Sequence, residues 1–278
     1  MNIAVLSGKG GTGKTFVSVN LSCVAGRAAY VDCDVEEPNG HLFFKPQITR
    51  KTPVTVSIPQ VDAAKCTGCR VCVDFCQFNA LALIRQKLMV FQEICHSCGG
   101  CVLFCPEKAL EERQREIGRI EEGQTGRVSF LSGCLNTGEV SGVPIIRKMM
   151  SMLPGECTAV FDCPPGSACA VMESILKADY CLLVAEPTLF GVHNLAMVHE
   201  LVRLFGKPFG AVLNKCLPGS NPAQRFCEEH NIPVLAKIPY DQKLGRINSQ
   251  GLVAVRESRR YQALFVQLLK CAAKGAAV

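Results

Sequence analysis

Residues 8–15 read GKGGTGKT, and glycines spaced this way ahead of a Lys-Thr pair suit one task, the holding of a triphosphate. Gly8, Gly10, Gly11 and Gly13 let successive backbone N–H groups turn inward around phosphate oxygens, and a helix starting behind them adds the positive end of its dipole. Lys14 is expected at the β- and γ-phosphates and the Thr15 hydroxyl on Mg²⁺, with Thr12 and Phe16 completing the nucleotide-binding stretch. The second chemistry is that of sulfur. Of 18 cysteines, eight lie between Cys66 and Cys105. Cys66, Cys69, Cys72 and Cys76 have the spacing C-x₂-C-x₂-C-x₃-C, and Cys95, Cys98, Cys101 and Cys105 repeat it. Clustered thiols in a chain too long to be a disulfide scaffold point to metal binding. Runs this tight suit iron–sulfur cubanes better than paired zinc ions, the alternative that the spacing leaves.

These residues need elements to position them. An apolar run at 2–6, the glycine loop, a helical stretch at 14–25 and a second run at 28–32 make a βαβ opening. From about 53 to 113 cysteines replace the aliphatic periodicity. The expected division is therefore an ATPase core over 1–55, a small inserted α+β domain over 56–113, and the rest of the core over 114–278. The core resumes with a hairpin (116–122 and 127–131) and a helix at 143–152, and strand-like runs follow at 158–161, 181–185, 210–213 and 234–238. Such alternation predicts an α/β fold with a mostly parallel sheet covered on both faces and ligands beyond its C-terminal strand edges. A helical stripe through Tyr261, Leu264, Phe265, Leu268 and Leu269 predicts a last helix packed on the core.

Composition narrows the classes. Hydrophobic residues make up 48% and charged residues 19%, which excludes a disordered polyelectrolyte. Thirty basic against 24 acidic residues give a net charge of +6, too mild to predict nucleic-acid binding. No run reaches the roughly 18 to 20 apolar residues of a membrane span, so no stable membrane insertion is expected. The N-terminus enters a strand without a basic region or a long apolar core, and a cytoplasmic location is expected.

With Lys9 as an extra basic residue early in its loop, the sequence resembles the deviant-Walker (SIMIBI-class) P-loop ATPases typified by MinD, the ParA partition proteins and the nitrogenase iron protein. That resemblance implies a Mg²⁺-dependent ATPase in which Lys9 reaches across a dimer to the partner's nucleotide, in a homodimer or a heterodimer with a homologous chain. It further implies that Asp162, opening DCPPG, holds magnesium through water and that Asp34, in VDCDVEEPN, orients the attacking water. Asn214, in VLNK, corresponds to the base-binding asparagine, although an Asn after a strand is also a common turn residue.

The paired quartets resemble those of bacterial two-cluster ferredoxins, in which the fourth cysteine of each run crosses to the other cluster. This implies one [4Fe–4S] cluster on Cys66, Cys69, Cys72 and Cys105 and a second on Cys95, Cys98, Cys101 and Cys76. Pro106 follows the last cysteine as the pattern requires, whereas Gln77 replaces the corresponding proline of the first run. The whole chain is thus similar to MinD-superfamily ATPases with an inserted ferredoxin domain, relatives of the Mrp-like iron–sulfur ATPases. Cys134, and Cys169 seven residues after Asp162, are placed like two cysteines of the nitrogenase iron protein. This implies a third [4Fe–4S] cluster bridging the dimer; the other reading makes both small core hydrophobes. The function implied is an ATP cycle coupled to electron transfer, or to cluster assembly or delivery, for an acceptor metalloprotein or cluster-carrier protein. The alternative is a MinD/ParA-like positioning or regulatory ATPase with its clusters as redox sensors.

Overall fold

The computed structural model describes residues 1–155, 157–219 and 221–276. In chain order the strands are β1 (Asn2–Leu6), β2 (Ala28–Asp32), β3 (Gln47–Val61), β4 (Leu81–Ile84), β5 (Lys87–Val90), β6 (Leu110–Thr125), β7 (Val128–Leu135), β8 (Thr158–Asp162), β9 (Tyr180–Ala185), β10 (Phe209–Cys216) and β11 (Val234–Pro239). The helices are α1 (Lys14–Val24), α2 (Gly40–Phe44), α3 (Val71–Phe75), α4 (Gly100–Leu103), α5 (Val143–Ser151), α6 (Cys169–Leu176), α7 (Leu189–Leu204), α8 (Pro222–Glu229), α9 (Gln242–Ser249), α10 (Ala254–Glu257) and α11 (Arg259–Gly275).

Nine strands form one sheet in the order β11-β10-β9-β1-β8-β2-β7-β6-β3. From β11 to β7 all neighbours are parallel, and β6 and β3 join antiparallel at one edge. Every residue of β2 and β9 is buried, as expected of central parallel strands with both faces covered. On one face Leu6, Val31 and Phe161 pack against α5, α6 and α7 through Ile145, Met149, Ile175 and Val198. On the other, Ile3, Val5 and Val160 meet α1, α10 and α11 through Val17, Leu21, Val255 and Leu268. The predicted stripe docks α11: Tyr261, Phe265 and Leu268 are buried, and the Phe265 ring meets Phe16 edge-on with centroids 5.7 Å apart. Among the described residues no helix is long and apolar enough to cross a membrane.

The cysteine-rich segment is carried on an extension of the same sheet. β3 and β6 pair from Gln47↔Gln124 to Val61↔Leu110, and the ribbon ends where the Asp62 N–H donates to the Ala109 carbonyl at 2.8 Å. Residues 62–109 close over that end as α3, the β4–β5 hairpin and α4, around a small core of Cys72, Leu81, Cys101 and Leu110. The expected borders at 56 and 113 therefore fall inside two continuous strands.

Candidate functional site

At the C-terminal edge of β1 the glycine loop turns into α1. Gly13 has φ 98°, and a Cβ there would lie 2.2 Å from Asn214 Nδ2, so both backbone and packing require glycine. A Cβ on Gly10 or Gly11 would meet nothing within 4 Å, leaving an open cradle above the loop. Lys14 is buried. Asp162, at the end of β8, accepts hydrogen bonds from the Ser18 hydroxyl on Oδ1 (3.1 Å) and from the Tyr30 hydroxyl on Oδ2 (2.8 Å). Its carboxyl pKa is raised by burial, against the opposing pull of the Thr15 hydroxyl, the Lys14 charge and those two hydroxyls.

Asp32 stands in register with Asp162 on the neighbouring strand. Its Oδ2 accepts from the Gly40 N–H at 2.9 Å, while Oδ1 is buried without a partner, as is Thr12 Oγ1. Burial, and then the nearby Asp162 charge, raise the Asp32 carboxyl well above the usual range. Unpartnered buried oxygens are costly. The Asp162 carboxylate and the Thr15 hydroxyl that opposes its upward shift are donor types that fit Mg²⁺, which takes one or two carboxylates together with substrate phosphates and water.

Asp34 lies beyond β2, and burial pushes its carboxyl up to about 6, with Lys14 opposing. A carboxyl raised in the folded state above its ordinary 3.8 favours folding below pH ~4 and loses that contribution as pH rises through about 6. Asp34→Asn should therefore raise the urea midpoint of the nucleotide-free protein at pH 7.5 and raise it much less at pH 4.5, where the folded carboxyl is still protonated. Equal gains at both pH values would show that the carboxyl titrates normally.

Lys9 is held within its own chain. Its Nζ is 2.8 Å from Glu186 Oε2 and 5.1 Å from the centroid of the Phe190 ring. Lys215 Nζ donates to the other Glu186 oxygen at 2.6 Å and to the Gly11 carbonyl at 2.8 Å. Burial would raise the Glu186 carboxyl, but the Lys215 and Lys9 ammonium groups outweigh it and hold the group below its ordinary value. Sequence reading missed Glu186, Lys215, Tyr30 and Asp32; the available signal was a polar residue at, or directly after, the C-terminal end of a parallel strand for all but Tyr30. Asn214 Nδ2 donates to the Thr12 carbonyl at 2.7 Å, bracing the loop. It borders a cavity shared with Gly11, Gly13, Phe16, Tyr240 and Asp241.

At the far end of the ribbon the eight cysteines fall into two groups. Cys66, Cys69, Cys72 and Cys105 line one cavity, and Cys76, Cys95, Cys98 and Cys101 line the other. Burial, and then the neighbouring Cys95 and Cys98, push the Cys101 thiol up to about 11. The Ala80 N–H donates to Cys76 Sγ (3.4 Å) and the Ala109 N–H to Cys105 Sγ (3.3 Å), bonds that a thiolate strengthens. Among the described residues no three His, Cys, Asp or Glu side chains are grouped to hold a single metal ion. Cys134 is half-buried on β7 opposite Arg119 of β6. Cys169, the first residue of α6, is exposed, and Cys163 is fully buried in the core.

The chain is 28% identical over 257 residues to the uncharacterized protein MJ0579 of Methanocaldococcus jannaschii, covering 90% of each. It is 30% identical over 220 residues to MJ0578 of the same organism, covering 77% of this chain and 78% of that one. Among solved structures, the septum site-determining protein MinD of Pyrococcus horikoshii, complexed with Mg-ADP, superposes with a TM-score of 0.61 at 20% identity, over 96% of this chain and 93% of MinD; this likeness is one of fold. The model of the CobQ/CobB/MinD/ParA nucleotide binding domain matches residues 3–255, nearly the full length, and the chain belongs to that family.

Proposed function

We propose that this protein hydrolyses ATP with Mg²⁺ as a dimer, with itself or with a homologous chain, and that its nucleotide cycle acts on two [4Fe–4S] clusters held at the end of the β3–β6 ribbon. Lys14 contacts the β- and γ-phosphates, and Thr15 and Asp162 would hold the magnesium. Mg²⁺, when bound, neutralises charge developing on the transferring phosphoryl group. Asp34 orients the attacking water, and Lys9, released from Glu186, reaches the partner's nucleotide. Asn214 serves the base through the cavity that it borders.

The observation that carries the cluster reading is the crossed lining of the two cavities, each combining three cysteines of one quartet with the fourth of the other. A single tetrahedral zinc, with Zn–S near 2.3 Å, draws its sulfurs to within about 3.8 Å of one another. A cubane is larger and keeps its thiolates farther apart. The clusters supply one-electron chemistry. Their role is to pass electrons, or a cluster, to an acceptor metalloprotein or cluster-carrier protein.

A second reading has support of its own. The fold likeness to MinD favours a positioning or regulatory switch in which the clusters sense redox state. Oxygen-free purification, iron analysis and EPR with and without ATP test both. About 8 iron atoms per chain and spectra that change with nucleotide are expected; about 16 per dimer excludes a bridging cluster on Cys134 and Cys169, and about 20 supports it. Iron-free protein would overturn the cluster reading. ATP-driven sedimentation with lipid vesicles, with spectra indifferent to nucleotide, would favour the switch.

A further inference from the structure

The segment that follows Asp34 is wired to the cysteine module by a contact outside both sites. Val35 is buried, and its carbonyl accepts from the Leu135 N–H at 2.8 Å. Its two methyl groups press on Gly133 and Gly142, where a Cβ would lie 2.6 and 2.2 Å away. Val35 thus grips both sides of the loop 136–142 that links β7 to α5. That loop is fixed to β6 by the Asn136 N–H donating to the Ile117 carbonyl at 2.9 Å. It also carries Glu139, whose two carboxylate oxygens accept from both terminal nitrogens of Arg115 on β6, at 2.5 and 2.7 Å.

This ion pair differs from the other ion pairs of the described residues. Its side chains keep only 17% and 10% of their exposure and Arg115 Nε is buried without a partner, whereas in the other bidentate pair, Arg147–Glu173, the arginine is 70% exposed. Surface pairs contribute little, whereas a shielded bidentate pair acts at reduced dielectric. Two residues along the same face of β6, Arg113 donates to Gln92 at 3.3 Å, and the Cys95 N–H bonds the Gln92 carbonyl. Arg115 itself lies within electrostatic reach of Cys95 and Glu93. The Arg115 guanidinium is therefore a positive charge on the side of the module that carries Cys95, and Glu139 is its counter-charge, mounted on the loop whose two ends pack on Val35.

We propose that the Arg115–Glu139 pair sets the reduction potential of the cluster on Cys95, Cys98, Cys101 and Cys76, and that movement of the Asp34–Val35 segment during the nucleotide cycle changes that potential by displacing Glu139. The inference rests on the cluster reading above. Its sign follows from charge. Reduction adds one electron to the cluster, so an uncompensated Arg115 favours the reduced form and removal of Arg115 favours the oxidised form.

The test is a mediated redox titration with dithionite as the one-electron reductant, followed by EPR, on the intact protein and on Glu139→Gln and Arg115→Gln. Glu139→Gln should raise the potential of one cluster by about 59 mV, a tenfold change in its reduced-to-oxidised ratio at fixed potential. Arg115→Gln should lower it by a similar amount, with the other cluster unmoved in both. Glu139→Gln should also abolish any difference between nucleotide-free and ATP-bound potentials. A packing role would move the two variants in the same direction or both clusters together, and that result, or unchanged potentials in iron-replete protein, would overturn the inference alone. Wild-type protein without iron would overturn the cluster reading and this inference with it.

Discussion

Lys14→Ala is expected to abolish useful nucleotide binding while leaving the iron content unchanged. Lys14 is buried beneath the open cradle of the loop, and its ammonium would make charge-assisted bonds to two phosphates, each contributing about 1.5 to 3 kcal/mol. Their loss lowers ATP affinity by roughly two to four orders of magnitude. The cysteine cavities lie at the far end of the β3–β6 ribbon, so calorimetry with ATP should show no binding beside iron analysis at the wild-type value. Loss of iron from this variant would mean that the two ends fold as one cooperative unit.

The converse variant is Cys98→Ser. Its side chain is exposed and lines a single cavity, with Cys76, Cys95 and Cys101, so the substitution removes a thiolate at little packing cost. Iron should fall from about 8 to about 4 atoms per chain, one of two EPR signals should vanish, and ATP affinity should stay within about twofold. Unfolding of the core would show instead that the cysteine-rich segment holds the main sheet together.

The nucleotide end was largely legible because its signals are local. A buried strand, a glycine loop and a helix follow one another within residues 2–24, and each has its own pattern. The runs read as strands at 158–161, 181–185, 210–213 and 234–238 sit within β8, β9, β10 and β11; the first three are legible because a parallel strand with both faces covered is continuously apolar. What escaped reading depends on register across the sheet. Tyr30 looks like a core aromatic until β2 lies beside β8 and puts its hydroxyl on Asp162. Glu186 gains meaning only when β9 sets it between Lys9 and Lys215. The outer half of the ribbon was hidden for another reason. The inner half of β6 falls in the expected hairpin strand at 116–122, but most residues of its outer half, LEERQREI, are exposed, so no alternation of apolar and polar residues marks that half as a strand.

The meeting of Asp62 and Ala109 at the end of that ribbon has a consequence for how such a molecule could arise. A segment whose entry and exit are neighbouring partners of one antiparallel ladder can be lost or gained without redirecting the chain on either side. A two-residue turn in place of residues 62–109 would close β3 and β6 as an ordinary hairpin, leaving an ancestral-type core intact. The cysteine-rich segment thus sits at a hairpin tip, a position that any scaffold with a matching pair of strands could offer.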